Sequence, residues 1–213
     1  VEHEDSLGNK GIIGPGDVQW MTAGRGIVHS EMPKPGDDGK MWGFQLWVNL
    51  PRAQKMRDPR YREVTADEIP KVTGDGFAAK LIAGEALGES GPLLAAPGTA
   101  DEIAAEPVYL DVSLEAGKRF ELPTAAKHSA FAYAFDGYGT AGPDQTAVRG
   151  PLLVVFGEGD RVELAAGDEG LRFLLVTGLP FREPIARGGP FVMNTAEEIQ
   201  QAFEDYRNGT LVK

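Results

Sequence analysis

Apolar residues along this chain come in short bursts, and within each burst they recur at the strand interval of two. Val108-Tyr109-Leu110-Asp111-Val112-Ser113-Leu114 alternates so that every second side chain falls on one face, and Glu115-Ala116-Gly117 turns it. Ser129 to Phe135, Leu152 to Phe156, Arg161 to Leu164 and Leu171 to Val176 read as further strands, separated by Gly- or Asp-containing turns. Residues 1–50 show the same habit, with β-prone runs broken by Gly/Pro punctuation. Gly14-Pro15-Gly16-Asp17 is a turn with a mechanism, because proline fixes φ and glycine supplies angles that other residues avoid. Gly157-Glu158-Gly159-Asp160-Arg161-Val162 echoes Gly14 to Val18. The echo predicts an internal repeat at the level of the fold, two antiparallel sandwich lobes in an all-β protein.

Between the two strand-rich regions the pattern weakens. Pro51 to Tyr61 is charged and loop-like, and Thr65 to Pro70 is a short turn or helical piece ended by proline. Lys80-Leu81-Ile82-Ala83 is a candidate strand. Pro92 to Glu106, rich in Ala, Gly and Pro, is a candidate linker. The expected lobes are therefore residues 1–100, connection included, and residues 107–180, with residues 181–213 as a C-terminal segment. Periodicity of 3.6 appears once, in the tail. Thr195 and Glu198 form a capping box, and Ile199, Ala202, Phe203 and Tyr206 mark one apolar face before Asn208-Gly209 stops the helix.

Composition adds exclusions. The 28 glycines and 15 prolines suit an all-β chain with many tight turns. A formal charge of -11 would repel phosphate, which argues against direct nucleic-acid binding. Arg52, Lys55, Arg57, Arg60 and Arg62 crowd one stretch, but Asp58 and Glu63 dilute it, and a solvated loop is the expected state. Cysteine is absent, so thiol chemistry and disulfides are excluded. No apolar run approaches the ~20 residues of a membrane span, and no leader pattern opens the chain, so the default location is cytoplasmic.

Candidate chemistry sits at His29-Ser30-Glu31. On a strand these two side chains share a face, aiming an imidazole and a carboxylate into one space. That pair suits iron, zinc or manganese once further donors complete the set, although spacing alone is a weak signal. Gly24-Arg25-Gly26 is a tight turn rather than a phosphate loop, since it lacks the full fingerprint and opens no helix. His128, with no second ligand beside it, is expected to be structural.

The run Gly16-Asp17-Val18-Gln19-Trp20-Met21-Thr22-Ala23-Gly24-Arg25-Gly26-Ile27-Val28-His29-Ser30-Glu31-Met32-Pro33 closely resembles the central motif of the pirin family, in the cupin superfamily. Phe44 to Pro51 resembles the strand that follows it, Gly84-Glu85-Ala86-Leu87-Gly88 the interdomain region, and Arg182-Glu183-Pro184 with Gly189 to Thr195 the C-terminal segment. His29 lies 13 residues beyond Gly16, a spacing that departs from the general cupin pattern and agrees with pirins. The resemblance implies a bicupin whose first lobe holds one mononuclear metal and whose second lobe holds none, with the C-terminal segment against the N-terminal lobe.

In the family three His and one Glu bind the metal, Fe(II) above all or another divalent transition metal. Only His29 and Glu31 carry over as metal ligands, Glu31 also as a proton acceptor. The family's His-x-His pair precedes the motif and has no match here, and His3 does not occupy a family ligand position. The chain is thus expected to be a fragment, a processed form or an incomplete gene model. The implied activity is that of a quercetin 2,3-dioxygenase on a flat, flavonol-like aromatic substrate. Trp20, Met21, Phe44 and Trp47 would line the cleft or fill the core, with core preferred for Trp47. The alternative implied by the family is a metal-dependent regulatory module that binds a protein partner without turnover.

Overall fold

The computed structural model describes residues 1–36, 39–93 and 103–212. The chain begins with β1 (Glu2–Asp5), β2 (Lys10–Ile12), β3 (Val18–Thr22), β4 (His29–Met32) and β5 (Arg60–Val64). It continues through β6 (Lys71–Gly74), β7 (Phe77–Ala83), β8 (Glu85–Ala86), β9 (Glu89–Ser90), β10 (Val108–Leu114) and β11 (Arg119–Pro123). Then come β12 (Ser129–Ala141), β13 (Thr146–Arg149), β14 (Leu152–Val155) and β15 (Arg161–Gly178), and finally β16 (Ala186–Gly188), β17 (Phe191–Met193) and α1 (Ala196–Arg207). No helix among the described residues is long and apolar enough to cross a membrane.

Two compact units emerge, residues 1–66 with 181–213, and residues 67–180. This departs from the boundary expected at residue 100. The reason is pairing: β6 and β7, which precede that boundary, are hydrogen-bonded into the sheet of the second unit through β10. Most of the candidate linker at 92–106 lies outside the described residues.

The second unit is organised by one strand. β15 runs 18 residues, pairing β12 through Leu164–Ala166 and Leu171–Gly178, β10 through Leu171–Thr177 and β11 through Arg161–Ala165. Arg161–Leu164 and Leu171–Val176, expected as two strands, are thus its two ends. Inward side chains form an apolar core around Leu81, Leu110, Val112, Phe120, Leu164, Phe173 and Leu175, all nearly inaccessible. Phe120 meets Phe77 and Phe173 edge-on, with centroids 5.1 and 5.8 Å away. Each such burial is worth about 1.5–3 kcal/mol, which makes this unit a conventional hydrophobic sandwich.

The first unit is built differently. β2, β1 and β4 form a three-stranded antiparallel sheet and β3 pairs β5. Among its described residues Val64 is the one buried hydrophobic side chain, whereas His3, Asp5, Lys55 and Asn194 are buried polar groups. Its C-terminal part is tied in by polar contacts. Glu183 accepts from the Arg52 amide at 2.6 Å, and Glu198 accepts from the amides of Asn194 and Thr195 at 2.9 and 3.0 Å. Burial lowers the proton affinity of the Lys55 ammonium, and the nearby Glu183 and Glu198 carboxylates oppose that shift. α1 starts at the expected capping box, with Glu198 N–H donating to Thr195 Oγ1 at 3.2 Å. Its apolar face is only half covered: Phe203 meets Phe191 edge-on at 5.0 Å, while Tyr206 is 56% exposed.

Candidate functional site

The Gly14–Asp17 turn sets up the site. Asp17 Oδ2 accepts from Gly14 N–H and Oδ1 from Ala66 N–H, both at 2.8 Å, so one carboxylate closes the turn before β3 and holds the end of β5. The chain then turns at Gly24, where φ is +54° and an added Cβ would lie 2.2 Å from the Arg57 carbonyl oxygen. Only glycine lets the two backbones approach this closely. The Gly24-Arg25-Gly26 segment is therefore a tight turn packed on another loop, and Arg25 pairs with Asp58 at 2.8 Å.

From that turn the chain enters β4, which carries His29 and Glu31. They fall on the same side of the strand, with His29 Nε2 3.9 Å from Glu31 Oε1 and both side chains about one-third exposed. In type and separation the two donors fit a transition metal. Ligand atoms at about 2.0–2.2 Å from one ion lie roughly 3–4 Å from each other. In number they fall short of a closed set. Among the described residues no group of three His, Cys, Asp or Glu side chains is gathered to hold a metal.

The β1–β4 pairing adds two neighbours, one of them the His3 set aside above. His3 stands opposite Glu31 and Asp5 opposite His29. His3 is 4% exposed, and its Nε2 lies 2.5 Å from Tyr61 Oη on β5, with the rings 4.8 Å apart. Asp5 accepts from Leu7 N–H at 2.8 Å, Asn9 N–H at 3.0 Å and Asn9 Nδ2 at 2.8 Å. Burial pushes the Asp5 carboxyl up, but those hydrogen bonds together hold it below its usual range. Burial is also the main force raising the Tyr61 phenol. A hydrogen bond from Gln19 counters it, and the Glu63, Asp5 and Glu31 carboxylates add to it. Tyr61 thus stays protonated at neutral pH. The signal that could have pointed to His3 and Asp5 was their own i, i+2 spacing in β1.

The aromatic residues proposed for the cleft or core fall elsewhere. Trp20 and Met21 are half-buried on β3, whereas Phe44 and Trp47 are 45% and 54% exposed. Trp47 therefore does not fill a core, contrary to expectation. Residues 44–51, expected as a strand, carry no regular secondary structure and join no ladder among the described residues. The Arg187 guanidinium sits 5.5 Å from the Trp47 ring centroid.

Comparisons with known proteins bear on this arrangement. Residues 1–48 match the family model described as Pirin, and residues 109–212 match the Pirin C-terminal cupin domain. Pirin from Mus musculus is 44% identical over 211 residues, which is 98% of this chain and 69% of that protein. A pirin-like protein from Caulobacter vibrioides is 42% identical over 212 residues, covering 98% and 72%. A crystal structure of quercetin 2,3-dioxygenase from Acinetobacter baumannii superposes with a TM-score of 0.84 at 32% identity, over 99% of this chain and 72% of that one. The all-β sheets, the single helix among the described residues and these matches together identify the bicupin fold, and the chain belongs to the pirin family.

Proposed function

We propose that β4 carries the protein half of a mononuclear metal site, with His29 and Glu31 as ligands to a divalent transition metal, Fe(II) first. The site would serve oxygenase chemistry of the quercetin 2,3-dioxygenase type. One observation supports this most: an imidazole and a carboxylate converge to 3.9 Å on one strand of a pirin-family chain. The 32% identical quercetin 2,3-dioxygenase supports the choice of a flavonol-like substrate. When bound, such a metal supplies the one-electron and O₂ chemistry that no side chain provides. The chain's own residues do the rest. His29 offers a neutral nitrogen lone pair, and Glu31 offers a negative charge and a base that accepts the proton of a flavonol hydroxyl.

A second reading has its own observation. Met41, Trp42, Phe44, Leu46 and Trp47 are exposed within residues 41–47, and an apolar patch of that kind marks interaction surfaces. On that reading the protein is a metal-dependent regulatory module that binds a protein partner, favoured over nucleic acid by the -11 charge. Oxygen uptake with quercetin by Fe(II)-loaded protein separates the two. The oxygenase reading predicts uptake that follows quercetin loss and falls to background in His29→Ala. Fully loaded protein that leaves quercetin untouched overturns it in favour of the binding module.

A further inference from the structure

His3 lies on the same face as both proposed ligands without being one of them. Directly opposed residues of an antiparallel pair point to one side, with Cβ atoms about 5 Å apart, so His3 is the cross-strand neighbour of Glu31. The ring is admitted by Gly11 on the other flank, where an added Cβ would lie 2.7 Å from His3 Nε2 and 3.0 Å from Glu63 Oε2.

Tyr61 Oη and His3 Nε2 share one hydrogen bond. When the phenol donates it, the neutral imidazole carries its proton on Nδ1. Nδ1 is buried and has no hydrogen-bond partner among the described residues. An unanswered buried donor is costly, and it is explained when the working state supplies its acceptor. Asp5 already accepts three hydrogen bonds from Leu7 and Asn9. Glu31 is the carboxylate directly across the strand pair, and it has an oxygen to spare when the other binds a metal.

We propose that Tyr61 and His3 form a positioning pair for Glu31. Tyr61 locks the imidazole in the Nδ1–H tautomer, and Nδ1–H holds one oxygen of the Glu31 carboxylate while the other ligates the metal. This rests on the metal reading above and deepens it, adding the outer hydrogen bond that ligating carboxylates require.

Titration of Co(II) alone into the whole protein, followed by calorimetry and visible absorption, tests the pair. Tyr61→Phe and His3→Gln should each weaken Co(II) binding by about tenfold or more and alter the absorption bands, with circular dichroism unchanged. His3→Asn, whose amide N–H takes the place of Nδ1–H, should restore affinity and spectrum. Unchanged binding in Tyr61→Phe and His3→Gln overturns the pair, and so does equal weakening by His3→Asn and His3→Gln. Should Tyr61→Phe fail to fold, the Asn/Gln contrast decides alone. No Co(II) binding by the unsubstituted protein overturns the metal reading itself and the pair with it.

Discussion

His3 and His128 each have one buried ring nitrogen with no hydrogen-bond partner among the described residues, yet their surroundings differ. His3 is tied to a phenol beside the candidate ligands. His128 sits at the start of β12, its side chain 8% exposed, with Nδ1 3.3 Å from Thr177 Oγ1 and Nε2 3.8 Å from the Glu106 carboxylate. Burial first, then the Lys127 ammonium, push His128 below its ordinary value of 6.5, against the pull of Glu106. The sign follows directly. The unfolded chain takes the proton at a higher pH than the folded one, so stability is fully present above about 6.5 and is lost as pH falls below it. Thermal melts between about pH 5 and 7.5 should show a falling Tm on acidification, and His128→Gln should flatten that limb. An unaltered slope in His128→Gln would contradict this role.

Local signals at the scale of elements were legible because they need no knowledge of distant partners. The Gly14–Asp17 turn, the alternation of Val108–Leu114 and the Thr195/Glu198 capping box all formed as read. The cap is testable: Thr195→Ala should cost about 1 kcal/mol and lower Tm, while Thr195→Ser, which keeps the acceptor oxygen, should leave it nearly unchanged. What the sequence hid depends on pairing. Gly167-Asp168-Glu169-Gly170 reads as a turn, but β15 runs through it, its flanks paired with β12 at Ala166 and Leu171 across a register shift and Gly170 at φ +82°. Residues 44–51 have strand composition and no described ladder to join. The His3–Tyr61 contact spans 58 residues and exists only because β1, β4 and β5 are brought together. The i, i+2 rule put His29 and Glu31 on one face from sequence alone, whereas their cross-strand company could not be read until the register was known.

Over the whole molecule, the two units differ in what they bury. The second buries phenylalanines, leucines and valines. The first buries an imidazole, a carboxylate, an ammonium and an amide. Buried polar groups are costly to a structure and valuable to a site. The family is settled by residues spread along the chain, while the site rests on a few side chains around β4. The most direct check is metal content per chain by ICP-MS, on the unsubstituted protein and on His29→Ala and Glu31→Ala. Near-stoichiometric transition metal that is lost in both variants is the predicted result. Metal-free unsubstituted protein, or metal retained in both variants, would contradict the assignment of His29 and Glu31 as its ligands.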